Sequence, residues 1–551
     1  MKTALPRRWR SLGAYVLAPL LLLVALAAWA LSSPIGSSPD EDFHLNSAWC
    51  GLGDRPGLCE AGPTASTRET PFVLSHIACY AYQADQTGSC QWLWDTKLTV
   101  TSRVNANHNY PPVFYAVMGV FASSTHIVAS VLAMRFFNLA LFLALGVALY
   151  WLLPPPRRFP LVMSWAVTVL PLGVFLIASA NPSGWTIVGC GTAWLAALGF
   201  FEGTGRKRTW LGVLAVVGGL MAAGSRSDGG VFCLLGVAVA FFLALALGRE
   251  LWRPRNLWLP VTVGAMAIAS FVSSSQSLNV ITGVTSTVRA TSTATATAAA
   301  HATATATATA HAASPAATAA ATAPATDVVV GTSPAVGAPV EHGLNLLVHN
   351  LLDVSWLWTG ALGSGQLGWL DTPMPTVVGA VGLFAFAAVV FFGLRAMDRR
   401  KAVSLAVVFG ALVVIPVYEL QRSGQRVGLN VQPRYLLPLL ILLAGIAALP
   451  VIGRAVSFSR AQRVVLIVVL AVSNAAALYA NMARYVQVPP RQSADLDHFI
   501  AWWWTVIVPS PLTVWAIGAV AFAGALAIIV GGTRATALSA HGEAVEVGTA
   551  L

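Results

Sequence analysis

The chain has 551 residues, of which 56% are hydrophobic and only 10% charged. Soluble domains carry about 25% charged residues, so this composition excludes a soluble globular protein and calls for a lipid environment. The net charge of +11 does not point to nucleic acid: the basic residues stand in short clusters between apolar runs, as in the cytoplasmic loops of membrane proteins.

In chain order, "MKTALPRRWR" precedes "SLGAYVLAPLLLLVALAAWALSS". A signal peptide has this charge pattern with an apolar region of about 7–15 residues. Here the run approaches the roughly 20 residues that span a bilayer and reads as a retained first helix. Apolar runs at 11–31, 130–153, 160–179, 184–201, 209–224, 231–248, 257–275, 374–394, 402–420, 435–453, 463–482 and 511–531 predict twelve spans. The weakest is 209–224, which is short for a crossing. Basic clusters "PPPRR", "GRKR", "GRELWRPR", "RAMDRRK" and "GRAVSFSRAQR" recur in every second connection, all on one side, and put the N-terminus inside.

The expected fold class is an all-α polytopic membrane protein with about 12 transmembrane helices and a large first extracytoplasmic loop containing short helices. A cytoplasmic N-terminus and first helix occupy 1–31, and an outer loop 32–129. Helices two to seven fill 130–275, and a second outer segment runs over 276–373. Helices eight to twelve fill 374–531, with an outer loop at 483–510, before a cytoplasmic tail at 532–551.

The first outer loop carries Cys50, Cys59, Cys79 and Cys90. In an oxidising compartment these form one or two disulfides, with three connectivities open. Cys190 and Cys233 fall in apolar runs and read as small packed hydrophobes. The second outer segment contains the Ala/Thr-rich tract 287–326, which offers almost nothing large to bury and reads as a disordered loop. His301 and His311 within it are poor metal ligands. Trp-rich stretches at 345–370 and 499–511 suit the membrane interface.

Candidate chemistry gathers at the outer ends of the spans. "SSPDEDFH" places Asp40, Glu41 and Asp42 directly after the first helix, with His44 behind them. A carboxylate there can accept the proton of an acceptor hydroxyl or help bind a divalent cation, Mg or Mn, although no ligand spacing demands one. The bland alternative is that Asp40 caps a helix whose first turn the other acids complement. "NANHNYPPVFY" sets His108, Asn109 and Tyr110 ahead of a Pro-led short helix. "SANPSGWTIV" is a tight turn between spans, while "GSRSDGG" offers Arg226 and Asp228 at a helix boundary, free to pair with each other. Asp371 lies in "LGWLDTPMP", and Glu419, Arg422, Arg426 and Arg434 lie in the stretch from 418 to 438. Positive charge on the outer face opposes the topology signal, so Arg226 and Arg434 call for anionic partners. A guanidinium binds phosphate bidentately and stays charged.

With "PDEDFH", "NYPPVFY", "ANPSG", "GWLDTPMP" and "VQPRYLLP", the chain resembles bacterial membrane proteins grouped as "domain of unknown function 2142". Pro433 stands where that pattern expects Gly. The group in turn resembles polytopic glycosyltransferases of the GT-C class. That resemblance implies a GT-C-like bundle in the bacterial plasma membrane, a polyprenyl-phosphate sugar donor, an acid role for Asp40 or Glu41, and phosphate contact for Arg434. On that reading the sugar passes to an envelope glycan, lipid or protein; the polar residues at the outer ends of the spans, His44, His108, Asn109, Tyr110, Arg226, Asp371 and Arg422, are the further candidate substrate contacts. The alternatives are a transporter or flippase of lipid-linked sugars and a non-catalytic protein of envelope assembly. The sequence names no protein partner.

Overall fold

In hydrocarbon every backbone N–H and C=O must find its partner within the chain, so long apolar runs resolve into helices. The computed structural model describes residues 16–83, 85–91, 95–274, 343–429, 431–487, 493–498, 500–504, 508–532, 536–538 and 544–546. The Ala/Thr tract, with His301 and His311, lies outside the described residues. Among the described residues, nine helices are long and apolar enough to cross a membrane: Ile127–Leu152, Pro182–Glu202, Gly205–Ser225, Ser227–Ala246, Pro254–Ser273, Thr376–Gly393, Arg399–Ser423, Arg460–Val486 and Pro511–Gly532. Two shorter apolar helices, Ala18–Leu31 and Pro433–Ala447, join them.

Two expectations change. The run at 160–179 is not one helix but two, Pro155–Thr168 and Leu172–Ile177. The break falls at Pro171, whose ring nitrogen has no proton for an intrahelical hydrogen bond. The run at 209–224, short on paper, is a full helix of 21 residues from Gly205, because its basic first turn is helical as well.

At the centre are elements with almost no exposed side, among them the short helix Leu172–Ile177. Pro182–Glu202 is buried throughout its span, and every residue of Leu437–Ala447 is buried. Lipid gives helices no hydrophobic drive to associate, so close packing between small residues does the work. Gly189 and Gly218 show it: a Cβ on Gly189 would sit 2.5 Å from the Gly218 carbonyl oxygen, and one on Gly218 would sit 2.7 Å from that of Gly189. The buried Lys401 closes the far end of the bundle, its Nζ donating to the carbonyls of Gly393, Ala396 and Leu449 at 2.9, 2.7 and 2.8 Å. Gly393 ends one helix, and Ala396 and Leu449 lie just past helix C-termini, where carbonyl dipoles favour a cation.

The opposite face carries the first loop. Helix Glu41–Trp49 packs on the short helix Val113–Gly119, and a three-stranded antiparallel sheet runs Glu60–Ala61, Arg68–Pro71, Leu98–Thr101. Disulfides Cys50–Cys59 and Cys79–Cys90 staple it, so sequence neighbours pair. Cys190 and Cys233 are buried free thiols.

Candidate active site

Asp40 stands at the N-cap position of helix Glu41–Trp49 but does not cap it. Its backbone is left-handed, φ 59° and ψ 20°, and its side chain makes no capping hydrogen bond. Aspartate is among the few non-glycine residues that adopt this conformation readily. The capping duty passes to Glu41, whose Oε2 accepts the Ser38 N–H at 2.9 Å. Its Oε1 accepts the Ala180 N–H at 3.1 Å and lies 3.6 Å from Arg135 Nη2. Arg135 in turn donates to the carbonyls of Ala30, Ser33 and Pro34 at 2.7, 3.0 and 2.8 Å. Glu41 and Arg135 are fully buried, so this pair welds the loop to the first turns of the bundle.

The Asp40 carboxylate points elsewhere and stays 42% exposed. Its Oδ2 accepts from Arg434 Nη2 at 3.2 Å, and its Oδ1 lies 3.6 Å from Arg103 Nη2. Arg103 is otherwise committed to Asp42, which it grips with Nε at 2.8 Å and Nη2 at 2.6 Å. Arg434 arrives from the 3-10 turn Pro433–Leu436 that opens the buried helix Leu437–Ala447. Pro433 fits there because Gly360 opposite has no Cβ; one would lie 2.7 Å from the Pro433 Cγ.

Arg434 Nη2 also donates to the Tyr435 hydroxyl at 3.2 Å. Its Nε and Nη1 are buried without a hydrogen-bond partner. Arg226, from the junction of Gly205–Ser225 and Ser227–Leu243, lies over the Tyr435 ring with its guanidinium carbon 4.3 Å from the centroid, and 5.7 Å from that of Tyr110. Asp228 holds Arg226 bidentately at 2.9 and 2.9 Å. Tyr110 is fixed by Asn105, which exchanges two hydrogen bonds of 2.9 Å with its backbone. His44 packs edge-on to Tyr110 and its Nδ1 pairs with the Tyr115 hydroxyl at 2.9 Å.

Burial pushes the His44 imidazole down to about 3; the nearby Asp40 works against that shift, and Arg434, Arg226 and Arg103 add to it. His44 is therefore neutral in the folded protein. Burial pulls Asp40 upward, but Arg434, then His44 and Arg103, outweigh it and hold the carboxyl below its ordinary range. The carboxylate is thus ionised and hydrogen-bonded through one long contact. Asp40 and Asp42 already share Arg103, whose guanidinium occupies the approach to both carboxylates, and among the described residues no group of three His, Cys, Asp or Glu converges. The side chains present do not fit a Mg or Mn ion.

The structure brings together Asp40, His44, Tyr110, Arg226 and Arg434 from the sequence candidates. Asp371 belongs to a different ion pair: Arg484 Nη2 meets it at 2.9 Å while donating to the carbonyls of Tyr80 and Gln83, which fastens the Cys79–Cys90 loop. Arg422 pairs with Glu419 at 3.7 Å one turn back on its own helix. His108 is exposed with φ 52°, and the Asn109 carbonyl accepts from Ser274 at 2.8 Å.

Arg103, Arg135, Asn105 and Tyr435 escaped the sequence reading. Two of them carried a signal: Arg103 is another cation in the outer loop, and Arg135 is a charge inside an apolar run, where charges are costly.

A family model described as "predicted membrane protein (DUF2142)" matches residues 22–443, which include the acid loop, Arg226, Arg434 and the first part of the buried helix Leu437–Ala447. The chain belongs to the DUF2142 family. No match is found among curated proteins or among solved structures. The DUF2142 segment thus contains Asp40, Arg226 and Arg434, while the last two long helices lie beyond it.

Proposed function

We propose that this DUF2142 protein is a GT-C-like glycosyltransferase of the bacterial plasma membrane, crossing it about twelve times with both termini cytoplasmic. It takes a sugar from a polyprenyl-phosphate donor at the outer face and passes it to an envelope glycan, lipid or protein. One observation carries the reading: a half-exposed carboxylate, released from helix capping, sits 3.2 Å from a buried arginine with donors to spare. A base and a seat for a leaving phosphate are what such a reaction needs.

In the reaction, Asp40 accepts the proton of the acceptor hydroxyl. The acceptor oxygen bonds to the anomeric carbon as the bond from that carbon to the phosphate oxygen breaks. The electron pair leaves with the phosphate, and Arg434, with Arg226 beside it, neutralises the charge. Tyr110 and Tyr435 hold the guanidinium planes in place. One feature supports the setting: paired cysteines suit an oxidising outer compartment.

The test compares envelope glycans in a deletion strain carrying wild type or Asp40→Asn, with membrane insertion verified in both. Loss of one sugar component in the inserted variant is the expected result. Restoration equal to wild type would remove Asp40 as the base and return the chain to the transporter or assembly readings.

A further inference from the structure

Two arginines, Arg103 and Arg434, reach Asp40, a third, Arg226, rests on the Tyr435 ring beside them, and their commitments differ. Arg103 is held bidentately by Asp42 and Arg226 bidentately by Asp228, at 2.6–2.9 Å throughout. Arg434 makes one contact to a carboxylate, at 3.2 Å. Charge-assisted N–H···O bonds run nearer 2.7–2.9 Å, so this one is weak. Arg434 is 5% exposed, yet its Nε and Nη1 have no partner. A buried donor left unmade costs free energy that any well-placed acceptor recovers.

We infer that Asp40 is a placeholder on Arg434: a phosphate group takes the guanidinium from it, so phosphate and Asp40 compete for one seat and binding frees the carboxylate. The inference deepens the reading above, on which its catalytic meaning rests. The exchange is favourable in kind. Turning the guanidinium to present an N–H pair gives up the two long hydrogen bonds of Nη2, to Asp40 and to the Tyr435 hydroxyl, and engages donors that were idle, while two phosphate oxygens match the fork. Asp40 is not stranded, since Arg103 remains 3.6 Å away and its carboxylate already meets solvent. Tyr435, against which both Arg434 and Arg226 rest, keeps the second guanidinium beside the seat, at 5.2 and 4.3 Å from its ring. Acceptor deprotonation is thereby tied to an occupied donor site: without phosphate, Arg434 damps the base.

The test titrates the full-length protein, in phosphatidylcholine nanodiscs at fixed ionic strength, with inorganic phosphate by calorimetry. Asp40→Asn removes the competitor and suits the left-handed backbone; it is expected to bind phosphate roughly two- to fivefold more tightly than wild type, the range a half-exposed ion pair supplies. Asp40→Gly, equally at home at φ 59°, should do the same, which separates the effect from any property of asparagine. Arg434→Gln should lose the binding. An unchanged or weakened affinity in both Asp40 variants overturns the exchange, and so does absence of phosphate binding from wild type and variants alike. A second arm uses nanodiscs doped with phosphatidic acid: suppression of soluble-phosphate binding supports the exchange with a lipid-borne phosphate, and undiminished binding supports it with a free one. Tighter phosphate binding with normal glycan rescue by Asp40→Asn would keep the seat and discard the base. Unchanged binding with failed rescue would do the reverse.

Discussion

Two adjacent acids, Asp40 and Glu41, look interchangeable in "PDEDFH" and have opposite fates, because one left-handed residue turns their side chains apart. Glu41 is an interior ion with a matching cation, and removing one partner of a buried pair costs about 3–5 kcal/mol. Glu41→Gln should therefore lower the thermal stability of the solubilised protein by about that order, whereas Asp40→Asn, losing a half-exposed contact, should cost under about 1 kcal/mol. Thermal unfolding of the two variants in one detergent checks this, and equal losses would contradict the division of roles. His44 adds a pH signature. Its folded value of about 3 lies below the ordinary 6.5, so between those limits the unfolded chain binds the extra proton. Stability then rises with pH across that window, by up to about 1.4 kcal/mol per unit, and is flat in this group above it. Asp40, held low, contributes in the same sense, its share being lost only as pH falls below the ordinary carboxylate range. Melting curves from pH 7 down to pH 5 should show the slope in wild type and a reduced one in His44→Gln. The sequence disclosed Arg226 and Arg434 because positive charge placed against the topology rule needs a reason, and Asp40 because three acids follow the first helix directly. It could not disclose that Asp371 answers Arg484, since 113 residues separate them and only the folded loop joins them.

At the scale of elements, most helices were legible because lipid permits little besides a helix for a long apolar run. What hydropathy missed was continuity. Residues 160–179 are as apolar as their neighbours, yet Pro171 divides them, a local covalent fact that an averaged window dilutes. Hydropathy is equally silent on which helix lies at the centre. Pro182–Glu202 is among the less apolar spans and the most buried, because its glycines admit neighbouring backbones. Gly189→Ala should thus be strongly destabilising, since the new methyl meets the Gly218 carbonyl oxygen at 2.5 Å and backbone cannot yield. Gly146→Ala, with nothing within 4 Å of the added carbon, should be neutral or gain a few tenths of a kcal/mol from helix propensity. The yield of folded protein on size exclusion separates the two; matching profiles would mean that the glycine crossing does not hold the bundle.

For the whole molecule, the parity of crossings decides where the ends lie, and the broken element decides the parity. The nine long helices and the two short ones make eleven, which alone would put the termini in different compartments. Pro155–Thr168 and Leu172–Ile177 hold 14 and 6 helical residues, about 30 Å of rise together and enough to span hydrocarbon. Their ends support a crossing. Arg157 pairs with Glu202 at the end of the next helix, while Ala180 donates to Glu41 beside the first loop. Each contact belongs to a different face of the bundle. On the proposed twelve crossings the two termini share a side, with the disulfide-bearing loop opposite. A fluorescent protein fused at the C-terminus should then be bright in living cells, and a reporter active only after export should work when inserted at the exposed Gly53–Asp54 turn. A dark C-terminal fusion in inserted protein, with the exported reporter active there instead, would mean eleven crossings and would turn the broken element into a re-entrant one. Outer-face chemistry would survive that result, because Asp40 and Arg434 share a face whichever way the chain ends.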